Sequence, residues 1–296
     1  MQAGVPIDVL LPIVIAMMML AVGMGLRPAD FRAVAAAPLA VVLGLVGMFG
    51  VFPLLAFAVA AAFRLEPALA IGLVLLAASP SASTSTMFTY LGRGDVALSV
   101  ALTAVSKIVP VVTVPVYVSL AAQAFAGERL EIEISFAQTS EAIVATILLP
   151  TLAGMALDRY VPAARVWRPH VTRASVLLLV VLIGVLVWRE RTALPGMLAS
   201  SGPAALALCL LGMVCAFAAA AVAGLPRAAR AAITIELGMQ SGGTSIAIAA
   251  GVLGAPAMAV PAAAYSLIMY VAAAAFVLLE RSAEPRTAPD VSPIGR

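Results

Sequence analysis

Apolar residues fall along this chain in long blocks, separated by short polar turns. About 20 apolar residues at 1.5 Å rise cross the hydrocarbon of a bilayer. Nine segments reach that length, at roughly 5 to 26, 36 to 62, 67 to 91, 95 to 125, 134 to 157, 172 to 188, 203 to 224, 231 to 252 and 256 to 279. The pattern predicts an all-α integral membrane protein with nine transmembrane helices. No short apolar stretch with a basic flank and a small-residue cleavage site precedes the first block, so the first helix is expected to be retained. The tail 280–296 contains Pro285, Pro289 and Pro293 and is expected to be disordered.

Two blocks break the apolar pattern in their interior. The third carries Ser79, Pro80, Ser81, Ala82, Ser83, Thr84, Ser85 and Thr86, and the eighth carries Glu236, Leu237, Gly238, Met239, Gln240, Ser241, Gly242 and Gly243. Small polar residues are common wherever membrane helices pack closely, so one such run would suggest packing alone. Two runs at matched depth change the reading, because an ionisable group inside a membrane is costly and marks a functional site. The two spans lie five apart, so they run in opposite directions, and each precedes a span with prolines (Pro110 and Pro115, then Pro256 and Pro261). This is the signature of inverted repeats with discontinuous helices that cross at the midplane, where secondary transporters bind substrate and ion. The repeats would cover about 1–126 and 130–279 of a single transmembrane domain, 1–279.

The chemistry of these runs is oxygen-rich. Unwound backbone carbonyls, hydroxyls and a carboxylate make the hard shell an alkali cation prefers. Glu236 would supply the charge, and Ser85, Thr86, Ser99 and Thr103 the neutral oxygens. Ser99, Thr103 and Lys107 are spaced i, i+4, i+8, which predicts one shared face of the fourth span. Substrate would lie beside Ser83, Ser85, Ser241 and Thr244, where half-helix ends present backbone N–H to an anion.

Composition removes the soluble and nucleic-acid-binding alternatives. With 64 % hydrophobic and 10 % charged residues and a mean hydropathy of +1.13, the chain has more apolar surface than one soluble core could bury. Its net charge of +3 comes from arginines scattered through loops, with no basic stripe. Their use is topological. Arg27, Arg32, Arg93, Arg159, Arg165, Arg168, Arg173, Arg227, Arg230, Arg281, Arg286 and Arg296 fall on one side, against Arg64, Arg129, Arg189 and Arg191 on the other. By the positive-inside rule this puts the amino terminus outside and the carboxyl terminus in the cytoplasm.

The remaining cation, Lys107, is the chain's one lysine and lies about 18 Å along the fourth span. From mid-span its stem reaches the interface poorly, so a buried partner is expected. Glu236, Glu141 and the carboxylate of an anionic substrate are the candidates. Cys209 and Cys215 point to different helix faces, which argues against a disulfide. Asp95 is placed to cap the fourth span, and His170 has a solvated loop position. Without an HExxH motif, paired membrane aspartates or a serine with a membrane histidine, intramembrane protease chemistry lacks a required part. The short loops carry no signalling domain, which leaves a sensor or receptor as a weaker alternative to a transporter.

SPSASTSTMFTYLGRGDVALSVALTAVSK (79–107), IELGMQSGGTSIAIAAGVLGAPAMAVPAAAYS (235–266) and GMGLRPADF (23–31) together resemble the bile acid:sodium symporter family. The resemblance implies a core domain (about 36–125 and 203–279) beside a panel domain, lacking the first helix of ten-helix bacterial members, in a bacterial inner membrane. It implies alternating-access, sodium-coupled transport of a small organic anion, a carboxylate or bile-acid-like compound, by a protein that is not an enzyme. Nothing in the sequence fixes the oligomeric state, and a monomer is the default expectation. One sodium site would be formed by Ser85, Thr86 (where the family has asparagine), Ser99, Thr103 and Glu236. The second would use Glu236, Leu237, Met239 and Gln240, with Met48 standing where the family has a further glutamine. These departures, with Lys107, open a second possibility: Lys107 pairs with Glu236 and replaces sodium, leaving transport proton-coupled or uncoupled.

Overall fold

A computed structural model describes residues 13, 16–21, 23–25, 37–125, 141, 144–161, 163, 166–189, 191–192 and 194–282. Among these the chain is helical throughout, apart from turns and one isolated bridge. Most of the expected first span, part of the fifth, Arg27, Arg32, much of GMGLRPADF and the tail beyond Ser282 lie outside the described residues.

Apolar blocks become helices whose ends follow from proline and glycine chemistry. Helix α1 (Pro38–Ala62) contains a π-helical turn, Gly47–Val51. Helix α2 (Pro67–Ala78) starts with proline at its first turn, where the missing N–H costs nothing, and is buried from Leu69 to Ala78. It stops because Pro80 forces Ser79 out of the helical region, to φ −79° and ψ 165°. The chain resumes as α3 (Ser85–Leu91), turns tightly through Arg93 at φ 56°, and enters α4 (Val96–Ser106). Asp95 caps α4 as expected, its Oδ1 accepting from the Leu98 N–H at 3.0 Å.

The fourth span is not one helix. It breaks after Ser106 and resumes as α5 (Pro110–Phe125) with a bend of 63°. Pro110 has no N–H to give to the Ser106 carbonyl and its ring crowds the preceding turn, so the helix ends there. Helix α6 (Leu149–Tyr160) follows a π-helical turn, Val144–Leu148, and α7 spans Arg168–Arg189. Helix α8 (Leu194–Val222) begins well before the expected start at 203, because Pro203 is accommodated inside it.

The eighth span is α9 (Arg227–Gly238) followed by α10 (Gly242–Val252), whose second half is π-helical. A 3-10 turn, Pro256–Ala259, leads into α11 (Val260–Ser282). Helix α11 carries helical structure into the first residues of the expected disordered tail, and there Glu280 accepts from Arg227 Nε at 2.7 Å while Arg281 Nε donates to the Leu91 carbonyl at 2.7 Å. These contacts, with the Asp95 N–H to Ala228 carbonyl bond of 2.9 Å, draw the ends of α3, α9 and α11 and the start of α4 together.

Helix α8 packs against α9 and α11, and α2 against α1 and α5. The main apolar core runs through α2, α8 and α11, with Phe52, Leu76, Leu208 and Tyr265 fully buried. Among the described residues three helices, α1, α8 (from Pro195) and the segment Pro256–Ser282, are apolar and long enough to cross a bilayer, and a fourth is if the bent pair α4 and α5 counts as one span. Gly72 and Gly242 permit close approach, to backbone and to a side chain respectively, that an added Cβ would block. A Cβ on Gly72 would come within 2.1 Å of the Met258 carbonyl oxygen, and one on Gly242 within 1.8 Å of Ser266 Oγ.

Candidate functional site

The two interrupted helices meet where each is broken. Ser81 and Gln240 form an isolated antiparallel bridge, with the Ala82 N–H donating to the Met239 carbonyl and the Ser241 N–H to the Pro80 carbonyl, both at 2.8 Å. Each strand fragment thus satisfies backbone groups that the other's helix break left open, which is required where no water is available. The break lies at Met239–Ser241, ahead of the glycine pair. Gly242 and Gly243 open α10, and the role of Gly242 is close approach to α11 rather than helix breaking.

Side chains close around the crossing in layers. Ser245 Oγ donates to Ser79 Oγ at 2.9 Å, and Ser79 Oγ donates to the Leu75 carbonyl at 2.7 Å. Ser106 Oγ donates to the Thr103 carbonyl at 2.9 Å and lies 3.1 Å from Ser81 Oγ. The Gly238 carbonyl, released by the break, accepts from Tyr265 Oη at 3.0 Å and Cys209 Sγ at 3.6 Å. Ser79 and Ser81 belong to the polar run of the third span, whereas none of Ser106, Ser245 or Tyr265 stands out in the sequence as more than packing. Cys209 and Cys215 are both free thiols, in keeping with the sequence reading. Tyr265→Phe leaves the buried Gly238 carbonyl with only the weak Cys209 thiol donor, and losing a buried hydrogen bond costs about 1–3 kcal/mol, so a thermal unfolding midpoint several degrees below the parent is expected in detergent. An unchanged midpoint would remove Tyr265 as a support of the break.

Glu236 is the centre of this arrangement. It is fully buried in the last turn of α9 and is held by hydroxyls alone. Ser85 donates to Oε1 at 2.6 Å and Ser99 at 2.5 Å, and Thr103 lies 3.0 Å from Oε1 and 3.1 Å from Oε2. Ser85 arrives from α3, and Ser99 and Thr103 from α4, one turn apart. Thr86 is one shell further out, its Oγ1 lying 3.1 Å from Ser99 Oγ. A hydroxyl has one proton and two lone pairs and rotates freely, so the same oxygens can turn their lone pairs toward a cation bound at the carboxylate.

On the other side of the break, the Gln240 side chain donates from Nε2 to the Leu237 carbonyl at 3.0 Å. Its Oε1 is buried without a hydrogen-bond partner, and the Met239 carbonyl accepts from Ala82. An orphaned buried amide oxygen is an acceptor waiting for a donor or a cation. Met48, 1 % exposed, packs in an apolar cluster with Leu102 and Leu237 and offers no oxygen.

Lys107 directly follows the last residue of α4 with helical φ −81° and ψ −16°, and its Nζ donates to Ser83 Oγ at 3.2 Å while Ser99 and Thr103 contact Glu236. Among the described residues it forms no ion pair with Glu236, and Glu141 is exposed and unpaired. Ser83 and Thr84 are exposed, Lys107 and Ser241 half-buried, and the Ser241 and Thr244 hydroxyls lie 2.7 Å apart. Thr244 itself is buried, 2 % exposed, so the accessible polar groups here are those of Ser83, Thr84, Lys107 and Ser241.

Residues 12–195 match the Sodium Bile acid symporter family. The protein named Probable sodium/metabolite cotransporter BASS1, chloroplastic, from Arabidopsis thaliana is 30 % identical over 92 % of this chain and 67 % of its own length. The Bacillus subtilis protein named Uncharacterized sodium-dependent transporter YocS is 28 % identical over 86 % of this chain and 78 % of its own.

Proposed function

The chain belongs to the sodium bile acid symporter family, a family of membrane transporters and not of enzymes, and on that premise we propose that it is a sodium-coupled symporter of a small organic anion. The supporting observation is Glu236: a buried carboxylate hydrogen-bonded by hydroxyls only, with the unsatisfied Gln240 amide oxygen across the same helix break, where two broken helices meet. Sodium is cargo here. It binds at Glu236 with oxygens from Ser85, Thr86, Ser99 and Thr103, or with Gln240 and the carbonyls of Leu237 and Met239 on the other side. The anion takes the open face formed by Ser83, Ser241 and Lys107, with Thr244 buried beside Ser241.

The proposed architecture has nine membrane helices in two inverted repeats, with α1 to α5 and α8 to α11 forming a core that rocks against a panel. The arginine-bearing ends of α3, α9 and α11 face the cytoplasm. Alternating access then exposes the crossing to each side in turn.

The test is uptake of radiolabelled small carboxylates, from acetate and pantoate to taurocholate, into proteoliposomes. An inward sodium gradient is expected to drive accumulation of at least one of them several-fold above an equal potassium gradient. Equal uptake under both gradients for every compound would contradict the reading.

A further inference from the structure

The crossing holds two opposite charges that do not neutralise each other directly. Glu236 is satisfied by Ser85, Ser99 and Thr103. The Lys107 ammonium has three N–H donors, of which one reaches Ser83 Oγ at 3.2 Å. It lies in the break between α4 and α5, half-buried, with no ion pair among the described residues, yet within electrostatic reach of Glu236. An ammonium held there with no carboxylate in direct contact is costly, and an arriving anion relieves the cost.

Charge counting then limits what can be loaded. Glu236 and Lys107 sum to zero. One sodium added at Glu236 leaves the crossing at +1, and two leave it at +2. One sodium with one monoanion returns it to zero, whereas one sodium with a dianion leaves −1. Two sodium ions with a dianion would also reach zero, but Met48 offers no oxygen to a second sodium, so the neutral load of one sodium with one monoanion is favoured in a low-dielectric interior.

We infer that Lys107 is a tethered cation that receives the substrate's carboxylate and sets the load at one sodium with one monocarboxylate. Ser83 holds the ammonium on the open face, two of its donors remain for the carboxylate, and sodium and anion reinforce each other across the crossing. The inference rests on the sodium-coupled reading above and gives that site its substrate class and its charge balance.

The experiment is equilibrium binding of radioactive sodium to the full chain in nanodiscs, in a potassium chloride background, with potassium pantoate, acetate or succinate added. For the parent, a binding slope of one is expected, with sodium affinity raised about 10-fold by pantoate or acetate, within the usual range of coupling between sites. Succinate is expected to raise it less. Lys107→Met should bind sodium more tightly than the parent in chloride alone and gain nothing from the monocarboxylates, whereas Lys107→Arg should keep the gain. A slope of two, a gain that survives in Lys107→Met, a succinate effect equal to that of pantoate, or no gain with either monocarboxylate would each overturn the inference. Should Lys107→Met fail to fold, the slope and the pantoate-to-succinate contrast in the parent still decide. No sodium binding by the parent at all would instead overturn the symport reading on which the inference stands.

Discussion

Glu236→Gln is expected to abolish sodium-driven uptake while leaving a folded, monodisperse protein. The amide oxygen can still accept from Ser85, Ser99 and Thr103, so the hydroxyl cluster keeps a partner. What it loses is the negative charge that attracts a cation into a dry site. Removing one side of a buried charge-assisted contact costs about 2–5 kcal/mol, or roughly 30-fold or more in cation affinity. Uptake measured across a sodium titration should therefore fall at least that far at low sodium. Parental uptake by Glu236→Gln would remove the carboxylate from the coupling mechanism. Ser99→Ala, which deletes one of several oxygens, is expected to weaken sodium dependence less than loss of the charge does.

Gly72→Val is expected to have the largest structural effect. The added Cβ would sit 2.1 Å from the Met258 carbonyl oxygen, which is backbone and cannot rotate away. Helix α2 would have to separate from the 3-10 turn before α11. Overpacking a core costs about 1–3 kcal/mol when side chains can adjust, so a clash with backbone should exceed that range. Little monodisperse protein should survive extraction, and what does should unfold well below the parent. Gly196→Ala is the matched control: nothing lies within 4 Å of its Cβ position in α8, so a neutral or slightly stabilising change is expected. Equal yields and melting midpoints for the two variants would refute the close packing of α2.

Much of this arrangement can be read from the sequence because it depends on local chemistry. Ser79 followed by Pro80 ends α2 through the steric rule on residues that precede proline. A carboxylate inside an apolar block singles out Glu236 without reference to any neighbour. The i, i+4 spacing of Ser99 and Thr103 places both hydroxyls on one face of α4, and both reach that carboxylate.

Features that depend on tertiary contacts are less legible. The capture of the Gly238 carbonyl by Tyr265 joins groups 27 residues apart in sequence, and no local pattern announces it. The early start of α8 is hidden by Ser200, Ser201, Gly202 and Pro203, which read as a loop although a long membrane helix absorbs them. Lys107 is the most instructive case. A periodic reading of the fourth span continues α4 through it, yet Pro110 three residues later carries the signal that the helix must end. Weighing that proline as the break at Pro80 was weighed places Lys107 at the very end of α4, where its Nζ donates to Ser83 Oγ rather than forming an ion pair with Glu236.

The claim that Glu236 anchors a sodium ion is tested most directly by sodium-dependent thermal stability of the purified protein. A ligand that binds the folded state alone stabilises it by an amount that grows with concentration, about 2.7 kcal/mol at 100 times its dissociation constant. The account predicts a melting midpoint that rises with sodium chloride, does not rise with potassium chloride at equal ionic strength, and is insensitive to sodium in Glu236→Gln. Superimposable sodium and potassium curves for the parent, or a sodium-dependent rise that persists in Glu236→Gln, would contradict it.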